Sequence, residues 1–301
     1  MKILVTGATG FIGAALCRHL SAQDDVRALS RDVGKAQQKL GAVVEVLALP
    51  RSRDEWAAAV RGCGAVVNLA GESIAGGRWT DARKRELRDS RIDVTRSLVE
   101  AIKSTDQKPA VLLSASAVGY YGPHGDEELD ESTPPGTDFL ARLCVEWENE
   151  ARAAEAAGVR TVLLRLGVVL GEGGGALERM IVPFKLFVGG PVGSGRQWVS
   201  WVHRDDVIGL IGHALHNERA AGPLNATAAD ARTMREFSRT LGEVLGRPSW
   251  IPVPAVVLQL ALGEMANVLL EGQLVAPKAA EALGYRFAQP QLEPALRSIV
   301  R

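Results

Sequence analysis

The stretch from Lys2 to Leu20 restricts the fold more than any other part of this 301-residue chain. Lys2-Ile3-Leu4-Val5-Thr6 has the length and apolar character of a buried strand, and Ala14 to Leu20 carries apolar residues at helical spacing. Between them lies Gly7-Ala8-Thr9-Gly10-Phe11-Ile12-Gly13. A strand, a glycine turn and a helix in that order form a cradle for the phosphates of a dinucleotide. Gly7 allows the sharp turn, Gly10 lets a pyrophosphate approach the backbone, and Gly13 lets the helix lie close on the strand. The helix start offers unpaired N–H groups and a partial positive charge. Gly7, Thr9, Gly10, Phe11, Ile12 and Gly13 are therefore the first cofactor-binding candidates. The same glycines would suit a purely structural turn, but the agreement of strand, turn and helix favours the cradle.

Val26-Arg27-Ala28-Leu29 supplies a second strand, with Ser30-Arg31-Asp32 at its end. An acidic residue at this place bonds the adenosine 2′-hydroxyl of NAD, whereas an arginine accommodates a 2′-phosphate. Arg31 lies 18 residues beyond Gly13, with Ser30 beside it and Lys35 nearby. The expected cofactor is thus NADP(H), gripped by Ser30 and Arg31. Asp32 argues the other way, and a solvated basic loop is the plainer alternative.

Apolar runs at residues 43–47, 65–71, 111–117 and 160–166 read as further strands, and helical patterns at 54–60, 81–103 and 139–157 lie between them. Asp54 is the expected cap of the first of these helices. Alternating strands and helices predict an α/β chain with a doubly wound parallel sheet, whose ligands lie at the carboxyl ends of the strands. Leu69, Ala70 and Gly71 then border the crevice, and Arg91 on the long helix is a counter-charge for pyrophosphate. The hydroxyl groups of Ser114, Ser116, Tyr120 and Tyr121 gather at the end of the fifth strand, suited to a substrate carbonyl or hydroxyl. Gly-rich segments follow from Gly171, Pro223 to Ala226 reads as a last strand, and the tail from Thr233 is helical and cut by prolines.

The chain balances 35 Lys plus Arg against 35 Asp plus Glu, so its overall charge recruits neither nucleic acid nor an anionic membrane. Three cysteines provide no disulfide framework and no metal-ligand spacing. Met1 leads straight into the first strand, leaving no room for a signal peptide, and a cytoplasmic location is expected. Residues 251–270 are strongly apolar but contain Pro252, Pro254, Gln259, Glu264 and Asn267, which predicts a packed helix rather than a membrane span.

The glycine turn, the Ser-rich fifth-strand end and Val202-His203-Arg204-Asp205-Asp206 together resemble the extended short-chain dehydrogenase/reductase superfamily. Within it, the chain is similar to a group called the epimerase family. The marks are Asn68-Leu69-Ala70-Gly71-Glu72-Ser73-Ile74, Arg78-Trp79-Thr80, Ser90-Arg91, Gly167-Val168-Val169-Leu170-Gly171 and Gly193-Ser194-Gly195. Leu270-Glu271-Gly272-Gln273, Pro277 and Gly284-Tyr285-Arg286-Phe287 resemble that group's C-terminal domain of unknown function. The resemblance implies a Rossmann domain over residues 1–225, with 171–198 contributing to the substrate side, and a smaller, mostly helical substrate-side domain over 226–301. It also implies NADP(H), with Ser30 and Arg31 at the adenosine phosphate and Leu69 and Ala70 lining the crevice. Glu86 and Arg91 would face the cofactor from the long helix, and Val169 would sit near the nicotinamide. Relatives often dimerise through the long helices that begin here at Asp81 and Phe139.

One departure bears on chemistry. The superfamily's Tyr-x-x-x-Lys pair moves a proton during hydride transfer and anchors the ribose. Aligned here, Phe139 stands at the Tyr position and Leu143 at the Lys position. Ser116 and Tyr121 are then the catalytic candidates, with Tyr120, Glu72 and His203 as further proton carriers, although His203 before Asp205-Asp206 also suits a helix cap. Two readings stand: an NADP(H)-dependent oxidoreductase or epimerase on a small polar or sugar-nucleotide-like substrate, or a non-catalytic NADPH-binding regulatory protein.

Overall fold

The computed structural model describes residues 1–300. Its first half alternates β1 (Lys2–Thr6), α1 (Phe11–Leu20), β2 (Asp25–Ser30), α2 (Val33–Leu40), β3 (Glu45–Ala48), α3 (Arg53–Val60), β4 (Ala65–Asn68), α4 (Asp81–Ser104), β5 (Val111–Ala117), a two-residue β6 (Glu128–Leu129) and α5 (Phe139–Arg152). The second half continues with β7 (Arg160–Leu166), β8 (Val168–Leu170), α6 (Gly175–Lys185), β9 (Trp198–Val199), β10 (Trp201–His203), α7 (Arg204–His216) and β11 (Gly222–Ala226). It ends with β12 (Arg232–Thr233), α8 (Met234–Leu245), α9 (Ala255–Leu262), α10 (Asn267–Leu270), β13 (Leu274–Val275), α11 (Lys278–Ala282) and α12 (Leu292–Ile299).

Seven parallel strands form one sheet in the order β11-β7-β5-β4-β1-β2-β3. The chain winds one way from β1 to β3 and the other way from β4 to β11, which opens a crevice at the carboxyl ends of β1 and β4. Strand alternation assigns the two faces. Ile3, Val5, Val67, Leu113 and Val162 join α1 and α7 in one buried layer, while Leu4, Val66, Leu112 and Leu163 join α3, α4 and α5 in the other. Full burial of each such side chain stabilises the fold by about 1.5–3 kcal/mol.

Several local readings change. Ser52, not Asp54, caps α3: its side chain accepts from the Glu55 N–H, and Glu55 reaches back to the Ser52 backbone. Ser52 is the last residue with extended backbone before the helix and its hydroxyl is a good acceptor, whereas Asp54 sits in the first turn, where its charge suits the helix dipole. The helix begun at Phe139 stops at Arg152, followed by a short 3₁₀ turn. The apolar run at 251–270 is not one packed helix. Prolines delay its start, Gly263 (φ 61°) ends α9 at Leu262, and α9 buries none of its residues. No described helix is long and apolar enough to cross a membrane.

The sixth strand of the sequence divides at Gly167. A Cβ there would lie 2.5 Å from the Ser200 carbonyl oxygen, so only glycine lets the chain step from the large sheet into the β8–β10 pair. This step carries residues 168–171 to the side of the crevice. A separate core of Leu177, Phe184, Trp201, Phe237, Leu241 and Leu296 holds α6, α8 and α12 together. Carboxylates fasten residues 279–292 to earlier parts of the chain: Glu131 accepts from the N–H of Ala279, as well as from that of Asn225 on β11, Asp206 from those of Ala288 and Gln289, and Asp230 from that of Leu292. The outward faces of α4 and α5 carry the ion pairs Arg88–Glu146 and Arg96–Glu150.

Candidate functional site

The glycine turn closes under tight contact. A Cβ on Gly7 (φ 66°) would lie 2.4 Å from the Leu69 carbonyl oxygen, and one on Gly13 would lie 2.2 Å from that of Gly7. The turn is thereby pressed against both the β4 end and the first turn of α1. Gly10 is the N-cap of α1, no side chain caps it, and the first turn has no acidic residue. The leading amides of α1 are therefore free to meet an anion. A dinucleotide pyrophosphate fits this arrangement of donors.

Other cradle candidates have mixed placements. Thr9 is half-buried, and its carbonyl accepts from Lys39 Nζ at 2.9 Å. Ile12 packs on the core beneath. Phe11 projects against Gly171, Gly174 and Gly175, where an added Cβ would come within 2.8–3.0 Å of its ring, and the Arg204 guanidinium lies 5.2 Å from the ring centroid. It joins the cradle to the loop that follows β8. Val169 on β8 is half-buried beside Val202.

At the end of β2, Ser30 Oγ donates to the Asp32 carbonyl. Asp32 is the N-cap of α2, accepting from the Lys35 N–H, and its carboxylate pairs with Lys35 Nζ at 3.1 Å. Those bonds hold its carboxyl below the ordinary carboxylate range. Asp32 is thus occupied by its own helix. Arg31 is 81% exposed and reaches across to Glu72 at 3.1 Å.

Leu69 and Ala70 follow β4, half-buried, with the Leu69 N–H donating to the Thr6 carbonyl. Gly71 passes directly over Arg91: a Cβ there would lie 3.0 Å from the guanidinium carbon. Arg91 is tied to protein, donating to the Leu87 and Glu72 carbonyls, with its guanidinium 5.3 Å from the Trp147 ring centroid, and burial pushes its pKa down. Glu86 is exposed and pairs with Arg83, whose other donor holds the Ser73 carbonyl. Both residues shape the loop after β4. Ser114 lies beneath the crevice, where Thr6, Asn68, Ser114 and Thr95 share buried hydrogen bonds of 2.6–3.2 Å.

The two catalytic candidates occur in a second buried network. Ser116 Oγ donates to Glu148 at 2.8 Å. Glu148 also takes two bonds from Arg165, at 2.8 and 2.9 Å. Tyr121 is fully buried; it donates to Asn225 and accepts from Arg165, and burial pushes its pKa up to about 12. Burial opposes charge on Arg165, but its bonds to Glu148 outweigh that and raise its pKa. Tyr120 differs from its neighbour. It is half-buried, the Arg165 guanidinium carbon lies 3.4 Å from its ring centroid, and its hydroxyl has no hydrogen-bond partner among the described residues.

The helix register of the missing pair is also corrected. Leu140 faces Gly119 at the β5 end, and Cys144 lies beside Ser116 and Ala117, whereas Phe139 stacks edge-on against Trp79 at 5.3 Å. The positions turned to the β5 end are therefore Leu140 and Cys144, one residue beyond Phe139 and Leu143. Neither supplies a phenol or an amine, and burial pushes the Cys144 thiol up to about 11. His203 caps α7, its Nδ1 accepting from the Asp205 N–H at 3.2 Å. Lys39, Glu148 and Arg165 escaped the sequence reading, although Arg165 interrupts the apolar run Val162-Leu163-Leu164 and Glu148 falls on the buried stripe of its helix.

Residues 3–226 match the NAD dependent epimerase/dehydratase family, and residues 253–299 match a domain of unknown function, DUF1731. The chain is 45% identical over its whole length to the chloroplastic epimerase family protein SDR39U1 homolog of Arabidopsis thaliana, covering 87% of that protein. It is 40% identical to the epimerase family protein YfhF of Bacillus subtilis, with 100% and 98% of the two chains covered. A crystal structure of human SDR39U1 with NADPH superposes with a TM-score of 0.89 at 39% identity, covering 99% of each chain.

Proposed function

Because the chain belongs to the NAD dependent epimerase/dehydratase family, we propose that its cradle holds NADP(H) and that it acts as an oxidoreductase or epimerase on a small polar or sugar-nucleotide-like substrate. Uncapped amides at the start of α1, with an exposed Arg31 beside them, support the cofactor reading. The structure of human SDR39U1 with NADPH adds support. Division into residues 1–225 and 226–301 is part of the same reading, with 171–198 on the substrate side. So is a cytoplasmic location, in keeping with three buried free cysteines.

Bound NADP(H) would supply or accept a hydride. The observation that carries the chemical reading is the Arg165 guanidinium stacked on the ring of Tyr120. Ser116 directs its proton to Glu148, and Tyr121 is enclosed, so Tyr120 is the phenol left to give a proton. Arg165 stands where negative charge would develop on that ring, and Glu148 fixes Arg165 in place. The occupied hydroxyl of Ser116 favours a second reading, in which the chain binds NADPH and signals its presence without turnover.

Fluorescence titration with NADPH and NADH tests the cofactor reading. NADPH should bind more tightly, and Arg31→Ala should remove that preference at a cost of at most about 1.5–3 kcal/mol per charge-assisted hydrogen bond lost; equal affinities in the native chain would refute the Arg31 assignment. NADPH oxidation should then be screened against carbonyl and sugar-nucleotide panels. Turnover that survives Tyr120→Phe would exclude Tyr120 as the acid, and none on any panel would favour the sensing role.

A further inference from the structure

We infer that Glu72 sets how strongly this site distinguishes a phosphorylated from an unphosphorylated dinucleotide, an inference that rests on the proposed NADP(H) site at Arg31. Arg31 directly follows β2, and Glu72 lies in the loop after β4. These strands flank β1 on opposite sides. The Arg31–Glu72 bridge therefore crosses the carboxyl end of β1 and the glycine turn, at the adenosine half of the crevice.

The two partners are held very differently. The Glu72 N–H donates to Ser90 Oγ at 3.1 Å, and its carbonyl accepts from Arg91 at 2.9 Å, so α4 fixes its backbone from both sides. Its side chain is 29% exposed, against 81% for Arg31. The carboxylate is the anchored half and the guanidinium the movable half. Asp32, the acidic residue adjacent in sequence, is engaged as the cap of α2 and by Lys35. The carboxylate that meets Arg31 thus comes from the β4 side of the crevice.

A 2′-phosphate brings roughly 1.5–2 negative charges to the guanidinium that Glu72 already holds. An exposed ion pair contributes little stability, so the phosphate takes Arg31 over. The anchored carboxylate remains close and repels it. An unphosphorylated ribose escapes that repulsion, and its hydroxyl finds an acceptor in the same carboxylate. Glu72 therefore weakens NADPH relative to NADH and narrows a preference that Arg31 creates.

Equilibrium titration of NADPH and NADH against the native chain, Glu72→Gln and Glu72→Ala tests this. Removing the charge should tighten NADPH roughly three- to tenfold at low ionic strength, leave NADH unchanged or weaker, and lose most of its effect in high salt. An unchanged NADPH/NADH ratio in both variants would overturn the inference. So would weaker NADPH binding, which would make Glu72 a residue that orients Arg31 for the phosphate. If the native chain binds neither nucleotide, the NADP(H) reading itself falls, an outcome separate from a native preference that Glu72 variants do not alter.

Discussion

The carboxyl ends of β1 and β2 and those of β5 and β7 are built in opposite ways. At the first, polar groups are left open: α1 has an uncapped start, and Arg31 is exposed with a single carboxylate partner among the described residues. At the second, Ser116, Glu148, Arg165, Tyr121 and Asn225 satisfy one another away from solvent. Open donors in a crevice await a ligand, whereas a closed polar network fixes the position of whatever rests on it. The half proposed to hold the dinucleotide phosphates is thus arranged for binding. The half that would perform chemistry leaves the single hydroxyl of Tyr120 without a partner among the described residues.

The largest expected effect should come from the closed half. Glu148→Ala leaves Arg165 buried without its main counter-charge, and removing one partner of a buried pair costs about 3–5 kcal/mol. Chemical denaturation should show a loss on that scale; a loss below 1 kcal/mol would mean that the network is not what holds this end together. In the open half, Gly13→Ala places a Cβ 2.2 Å from the Gly7 carbonyl oxygen. Overpacking should destabilise by about 1–3 kcal/mol and abolish dinucleotide binding. Retained binding would show that the turn tolerates more separation from α1 than its contacts suggest.

The smallest effect lies beside both halves, at His203. Burial holds its pKa below the ordinary imidazole value of 6.5, with Arg204 acting the same way and Asp205 and Asp206 opposing. The folded chain therefore binds fewer protons here than the unfolded chain over the window between the two values. His203's contribution is present above pH 6.5 and is lost as pH falls through the depressed folded value. Protonation at Nδ1 also removes the acceptor that caps α7, a loss of about 1 kcal/mol. His203→Asn should keep the cap and flatten this acid dependence in thermal melts; an unaltered pH profile would assign the loss to other groups.

The open half was the more legible in sequence because its parts are local. The turn spans consecutive residues, and Arg31 follows its strand directly. The closed half depends on which side of an element a residue faces. Tyr120 and Tyr121 are neighbours, yet one is half-buried over Arg165 and the other wholly enclosed. Phe139 and Leu140 are both apolar, so composition gives no phase for the start of α5, and a one-residue shift changes which pair faces β5. Asp54 and Ser52 both make good caps, and their ranking follows from where the backbone leaves the extended conformation. Glu72 meets Arg31 across 41 residues of chain, a pairing that no local spacing encodes.

The carboxylates that fasten the last segment have a consequence for how the molecule assembles. Glu131, Asp206 and Asp230 receive backbone N–H groups from residues 279–292, and β13 joins β6 across nearly half the chain. Contacts between such distant residues form late, because a long loop must close before they repay its entropy. Until residues 274–292 dock, the earlier part of the chain retains acceptors without their donors and an uncovered flank. Completion of the fold therefore waits on residues 274–292, and the period before they dock is when the chain is most exposed to proteases and to its own aggregation.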